Sequence, residues 1–128
     1  MTERQASDAN KLVVIVIDDD SAVCSSLKFS LELEGFAVRV YGSGTELLAD
    51  GKFADGDCFV VDQRMPDMNG LELIARLRRE RVLTPAILLV SQHNQAVAMR
   101  AAEADIPIVE KPLFNNTLVE KIRAVCRR

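Results

Sequence analysis

The sequence predicts an open parallel α/β sheet with helices on both faces. Two observations carry that prediction. Short, continuous apolar runs recur five times, as strands covered on both faces do. Stretches with apolar residues at helical spacing lie between them, several bounded by recognisable caps or stops. A third observation limits the alternatives. No apolar run approaches the roughly 20 residues needed to span a bilayer.

The elements follow in order. "LVVIVI" (residues 12–17) is mostly β-branched and reads as the first strand. In "SAVCSSLKFSLELEG", Val23, Leu27 and Leu31 recur at helical spacing, and Gly35 is placed as a stop. "FAVRVY" is a short second strand. In "SGTELLAD", Ser43 and Glu46 form a capping-box pattern that opens a short helix. "DCFVVD" is the third strand. "NGLELIARLRRE" turns Leu71, Ile74 and Leu77 inward, with Asn69 as N-cap and Glu72 three residues on. "PAILLVS" is the fourth strand, and "NQAVAMRAAEAD" is an alanine-rich helix. "IPIVE" is the fifth strand, and "NNTLVEKIRAVCRR" the last helix, with Leu118, Ile122 and Val125 inward. Five βα units suit a doubly wound, flavodoxin-like sheet of order 2-1-3-4-5. Pro107, inside the fifth strand, agrees, because proline belongs on an edge strand.

Composition bounds the function. At 128 residues the chain is one domain, large enough to bury about two-thirds of its unfolded surface without disulfides or metal. A hydrophobic content of 48% places it with globular rather than disordered chains. The net charge of -3 supplies no basic face for direct nucleic-acid binding. Cys24, Cys58 and Cys126 are odd in number and lack metal-ligand spacing, so they read as reduced, space-filling thiols. The polar head, residues 1–10, reads as a flexible leader to a domain over 11–128, and no secretory signal is present. A cytoplasmic location is the expectation.

In such sheets the functional crevice lies beyond the carboxyl ends of the strands, where strand order reverses. The first strand ends in Asp18, Asp19 and Asp20, and the third in Asp62. The fourth ends at Ser91 and the fifth at Lys111. Each has a dull reading as a cap, a turn residue or a solvated charge. Their coincidence on one rim does not. Clustered carboxylates repel, and a hard cation with oxygen ligands relieves that. A divalent ion, a lysine and a hydroxyl around one carboxylate suit phosphoryl chemistry, with the carboxylate as nucleophile.

The segments "VIDDDSAV", "VVDQRMPDMNGLEL", "ILLVS" and "VEKP" together resemble the receiver domain of bacterial two-component response regulators. The resemblance implies that Asp62 is the phosphoacceptor. It implies that Asp19, Asp62 and the Arg64 backbone carbonyl hold Mg²⁺ or Mn²⁺, with Asp18 acting through water. Ser91 becomes the switch hydroxyl and Lys111 the phosphoryl-binding lysine, and Asp20 is left as a helix cap. The donor would be a histidine kinase or histidine phosphotransfer protein. The output or target stays open, as does a homodimer through the fourth helix, fifth strand and fifth helix. Catalysis would be limited to self-phosphorylation from a donor and autodephosphorylation. The Lys111–Pro112 bond is expected to be cis, since cis is cheap only before proline.

Two positions depart from the family pattern. Ile108 stands where an aromatic switch residue is usual, and Gln92 where a small residue is usual. His93 reads either as a tuner of phosphoryl loss or as a solvated loop residue. Two rival readings are a haloacid-dehalogenase-type phosphohydrolase and a degenerate receiver serving as scaffold or dimerisation module. The first lacks its later acidic pair. Against the second stand Asp19, Asp62, Ser91 and Lys111.

Overall fold

The five apolar runs become strands, buried on both faces at the centre of the sheet and partly at its edges. They are β1 (Val13–Ile17), β2 (Ala37–Tyr41), β3 (Cys58–Asp62), β4 (Ala86–Val90) and β5 (Ile108–Glu110). All pair in parallel, in the order β2-β1-β3-β4-β5. The helices are α1 (Ser21–Leu33), α2 (Gly44–Asp50), α3 (Gly70–Arg79), α4 (Gln95–Glu103) and α5 (Thr117–Cys126). The structure, a computed structural model, describes residues 11–113 and 116–126. The expected leader over 1–10 lies outside the described residues.

Alternation along the strands divides the core in two. Val14, Val16, Val60 and Leu89 face α1 and α5, meeting Leu27, Leu31, Leu118 and Ile122. Ile15, Ile17, Phe59, Val61 and Leu88 face the other way, onto Leu47 of α2, Leu71, Leu73, Ile74 and Leu77 of α3, and Ala101 of α4. Central strands β3 and β4 are buried along their whole length. That is why they read as unbroken apolar runs.

Local details refine the sequence expectations. The buried face of α1 runs through Cys24, Leu27 and Leu31, while Val23 packs at its margin. Gly35 takes the left-handed conformation (φ 99°) just past the C-cap Glu34. The Phe36 amide then reaches back to the Leu31 carbonyl at 3.1 Å, closing the helix. Pro107 lies one residue before β5 rather than inside it. Its carbonyl accepts the Leu88 amide at 2.9 Å, so the ladder begins there without a donor from proline. The Asn69–Glu72 capping box of α3 is complete. For α2, Ser43 caps the Glu46 amide as expected. Val125 is only partly buried.

Gly70 opens α3 hard against the sheet. A Cβ there would lie 2.6 Å from Leu88 Cδ1 and 2.7 Å from the Asp62 carbonyl oxygen. The second neighbour is backbone at the end of β3 and cannot swing aside. Gly70→Ala is therefore expected to lower the unfolding free energy by about 1–3 kcal/mol, as overpacking does. Urea denaturation of the two chains measures it.

Candidate functional site

β1 and β3 are neighbours in register, Ile17 opposite Val61. One step further, Asp18 and Asp62 leave the sheet side by side. Both are buried, at 1% and 4% exposure, and they are the only buried polar or charged residues among those described. Asp19 is exposed at the rim. Carboxylate oxygens of Asp18, Asp19 and Asp62 all lie within 4.8 Å of one another. Lys111 comes in from the end of β5, its amide held by the Val90 carbonyl at 2.7 Å. Its Nζ stands 3.0 Å from Asp18 Oδ2 and 3.0 Å from Asp62 Oδ1. The Lys111–Pro112 bond is cis, as expected.

Neighbouring groups hold the acidic loop. The Asp18 amide donates to the Tyr41 carbonyl at 3.1 Å, and Asp18 Oδ1 accepts from the Asp20 amide at 3.0 Å. Asp20 caps α1 as expected, accepting from the Ala22 and Val23 amides. The Cys24 thiol donates to the Asp18 carbonyl at 3.1 Å. Burial first, and then the Asp18 charge, push that thiol up to about 11, so it is a neutral donor.

The remaining sequence-predicted residues stand around this centre. Ser91, Arg64, Gln92 and His93 are exposed and, with Asp19, line a cleft of about 590 Å³. Ser91 also borders a groove between α1 and α5, beside Lys111. Ile108 and Pro112 belong to a separate cavity of about 440 Å³, shared with Val90, His93 and Val97. The tight cluster is thus Asp18, Asp19, Asp62 and Lys111, with the switch and tuning candidates outside it.

A profile of the response regulator receiver domain matches residues 14–123. The chain belongs to that family. It is 33% identical over 110 residues to the transcriptional regulatory protein FixJ of Rhizobium meliloti, covering 85% of this chain and 54% of FixJ. It therefore spans about half the length of that curated relative. The crystal structure of FixJ-N superposes with a TM-score of 0.77 at 32% identity, covering 91% of this chain and 94% of that one. Response regulator TrrA of Thermotoga maritima, solved in complex with Mg²⁺-BeF, gives 0.78 at 25% identity, covering 89% and 98%.

The acidic centre of this receiver domain is suited to a hard cation. Its donors are oxygens of three carboxylates, two of them from buried residues that share the one Lys111 ammonium. Burial raises the Asp62 pKa above its ordinary 3.8; the Lys111 hydrogen bond opposes this, and the Asp18 and Asp19 charges add to it. For Lys111, burial works to lower the pKa. Its hydrogen bonds and ion pairs with Asp62 and Asp18 outweigh burial, and the net shift is upward.

Two residues at the rim escaped the sequence reading. Gln63 follows Asp62, and its main-chain carbonyl and side-chain Oε1 accept the Gly70 and Leu71 amides at 3.1 and 3.0 Å. Asp67 accepts from the amide and hydroxyl of Thr45 at 2.8 and 2.6 Å. Nothing in the sequence marks Gln63. Asp67, one residue after a proline, looks only like a turn former.

The raised Asp62 pKa has a consequence for stability. Because the folded chain holds this proton more tightly than the unfolded one, stability falls as pH rises through the range above 3.8, and the cost is complete above the folded pKa. Without divalent cations, Asp62→Asn should therefore melt above the parent at neutral pH. The gap should close as pH falls toward 3.8. Melting temperatures of both chains across that range test it.

Proposed function

We propose that Asp62 is the phosphoacceptor of this receiver domain. The observation that carries the reading is the convergence of Asp18, Asp19 and Asp62, with Lys111 Nζ 3.0 Å from both buried acids. Mg²⁺, or Mn²⁺ in its stead, would be held by Asp19, Asp62 and the Arg64 carbonyl, with Asp18 acting through water. When bound, such an ion screens the carboxylates and stabilises the charge of a transferring phosphoryl group. The Mg²⁺-BeF complex of TrrA supports the choice of metal.

The donor in this reading is a histidine kinase or histidine phosphotransfer protein. An ionised Asp62 oxygen forms a bond to phosphorus as the phosphorus–nitrogen bond of a phosphohistidine breaks. The electron pair of that bond stays with the imidazole nitrogen. Lys111 then donates to a phosphoryl oxygen in place of one of its present carboxylate partners, and Ser91 donates from the rim. Arg64 and His93, at the mouth, set access of water to the phosphoryl group and hence its hydrolysis. The output is a further segment of a longer chain or a separate cytoplasmic target, and a homodimer through α4, β5 and α5 is the assembly this family face suits. FixJ, a named transcriptional regulator about twice the matched length, supports an output of that kind.

Asp62→Asn, treated with an acyl phosphate and Mg²⁺, should show no phosphoryl adduct by intact mass, whereas the parent gains one. An adduct retained by the variant would put the acceptor elsewhere.

The switch in this reading runs through the loop after β4. Residues 91–96 are all exposed, and Ala101 is the one buried residue of α4. Ile108 is β-branched, stiff about χ1 and already packed against the core. A phosphoryl mimic should therefore shift the amide resonances of Ser91, Gln92, His93 and the start of α4 while the Ile108 rotamer stays put. NMR of the methyl and amide groups reads both, and an Ile108 rotamer change beside a still loop would refute it.

A further inference from the structure

The loop from Asp62 to α3 must hold the Arg64 carbonyl in one place if that carbonyl is to serve a metal. Its two ends are tied to each other by Gln63, through the Gly70 and Leu71 amides. Those bonds leave the middle of the loop unsupported. Asp67 supplies the support from outside the loop. Its Oδ2 accepts both the Thr45 amide at 2.8 Å and the Thr45 hydroxyl at 2.6 Å, in the first turn of α2. Met68 packs beside it, so close to Gly44 that a Cβ there would lie 3.0 Å from Met68 Cγ and Sδ. α2 in turn follows directly on β2, whose last residue, Tyr41, accepts the Asp18 amide. The Asp67–Thr45 bonds therefore close a circuit between the two acidic segments of the site, one carrying Asp18 and Asp19, the other Asp62 and Arg64.

We infer that Asp67 is a positioning residue of the phosphoacceptor site, fixing the loop that carries the Arg64 carbonyl by bonding Thr45. The inference rests on the metal reading above. Asp67 lies outside the group of carboxylates able to share an ion. Its effect on that ion would be exerted through backbone position.

A purely structural role is the competing account. Asp67 also satisfies an α2 amide that the N-cap Ser43, which accepts from Glu46, does not reach. A cap alone would change stability and leave metal affinity untouched. Groups that orient metal ligands typically cost 10–100-fold in affinity when removed. The test compares the full chain with Asp67→Ala, Asp67→Asn and Thr45→Val. Mg²⁺ affinity is read by titration followed through amide NMR, and hydrogen exchange of amides 64–68 is read without metal. Asp67→Ala should bind Mg²⁺ about tenfold more weakly and exchange faster across the loop. Thr45→Val, which loses only the hydroxyl, should move the same way by less. Asp67→Asn keeps one oxygen able to accept both Thr45 bonds, and it should restore most of the affinity. If Asp67→Asn binds as weakly as Asp67→Ala, charge rather than position is at work, and the inference fails. Unchanged affinity in Asp67→Ala, with the parent binding normally, overturns this inference alone. A parent that binds no Mg²⁺ overturns the metal reading and this one with it.

Discussion

One ammonium serves two buried carboxylates at the ends of adjacent strands, and the rest of the architecture is arranged around that contact. Asp18 and Asp62 are brought together by the β1–β3 pairing, and Lys111 reaches them from β5, two strands beyond β3. Taking such charges out of water is costly, and the attraction offsets the cost only where geometry is good and the remaining lone pairs are engaged. For Asp18 they are engaged, whereas for Asp62 burial outweighs the Lys111 bond. Asp18 Oδ1 takes the Asp20 amide while Oδ2 takes Lys111. The apolar layers on the two faces of the sheet provide the stabilisation that lets an excess of negative charge persist at its edge.

The connections beyond the strands share the same concern with position. Each segment leaving the crevice is bonded at once. Asp20 caps α1, Gln63 folds back onto the start of α3, and the Lys111 amide joins Val90 before its side chain turns to the acids. The loop after β4 is different. Ser91, Gln92 and His93 are exposed and border open clefts. Rigid and adjustable parts of the rim are thus divided by strand: the acidic ends of β1 and β3 are fixed, and the end of β4 is left freer to move.

Much of this was legible in the sequence, for identifiable reasons. Strands buried on both faces leave unbroken apolar runs, and "LVVIVI", "CFVV" and "AILLV" are such runs. The strand order followed from five βα units, and the acids at strand ends followed from where such sheets keep their crevices. Asn69 declares itself as a cap by its spacing to Glu72, and Asp20 reads as one because it falls outside the acidic pair that the resemblance implies. What stayed hidden depends on tertiary placement. Cys24 lies at helical spacing from Leu27 and Leu31, but no periodicity reports that its thiol donates to the Asp18 carbonyl. Gln63 and Asp67 act across turns whose path the sequence does not disclose. Pro107 falls outside β5 because the ladder needs only its carbonyl.

The same contact that organises the site also makes it responsive. On the proposed reading, a phosphoryl group on Asp62 adds charge and acceptor oxygens where Lys111 is already shared between two acids. An ammonium has three donors and Lys111 now spends two on Asp18 and Asp62, so it can meet the newcomer, and its bonds are redistributed as an Asp62 oxygen becomes bonded to phosphorus. A ligand shifts an equilibrium only by its differential interaction with two states. The ends of β1 and β3 are tied more closely, Asp18 through its amide and Oδ1 to the Tyr41 carbonyl and Asp20 amide, and Gln63 to the start of α3. Ser91 has an exposed hydroxyl on a loop beside cavities that give it somewhere to go. Redistribution of bonds at Lys111 would therefore be answered at Ser91 and carried into α4, whose single buried anchor, Ala101, resists little. With Ile108 in place of a large ring, that helix and its loop become the part of the surface whose shape can report the charge on Asp62.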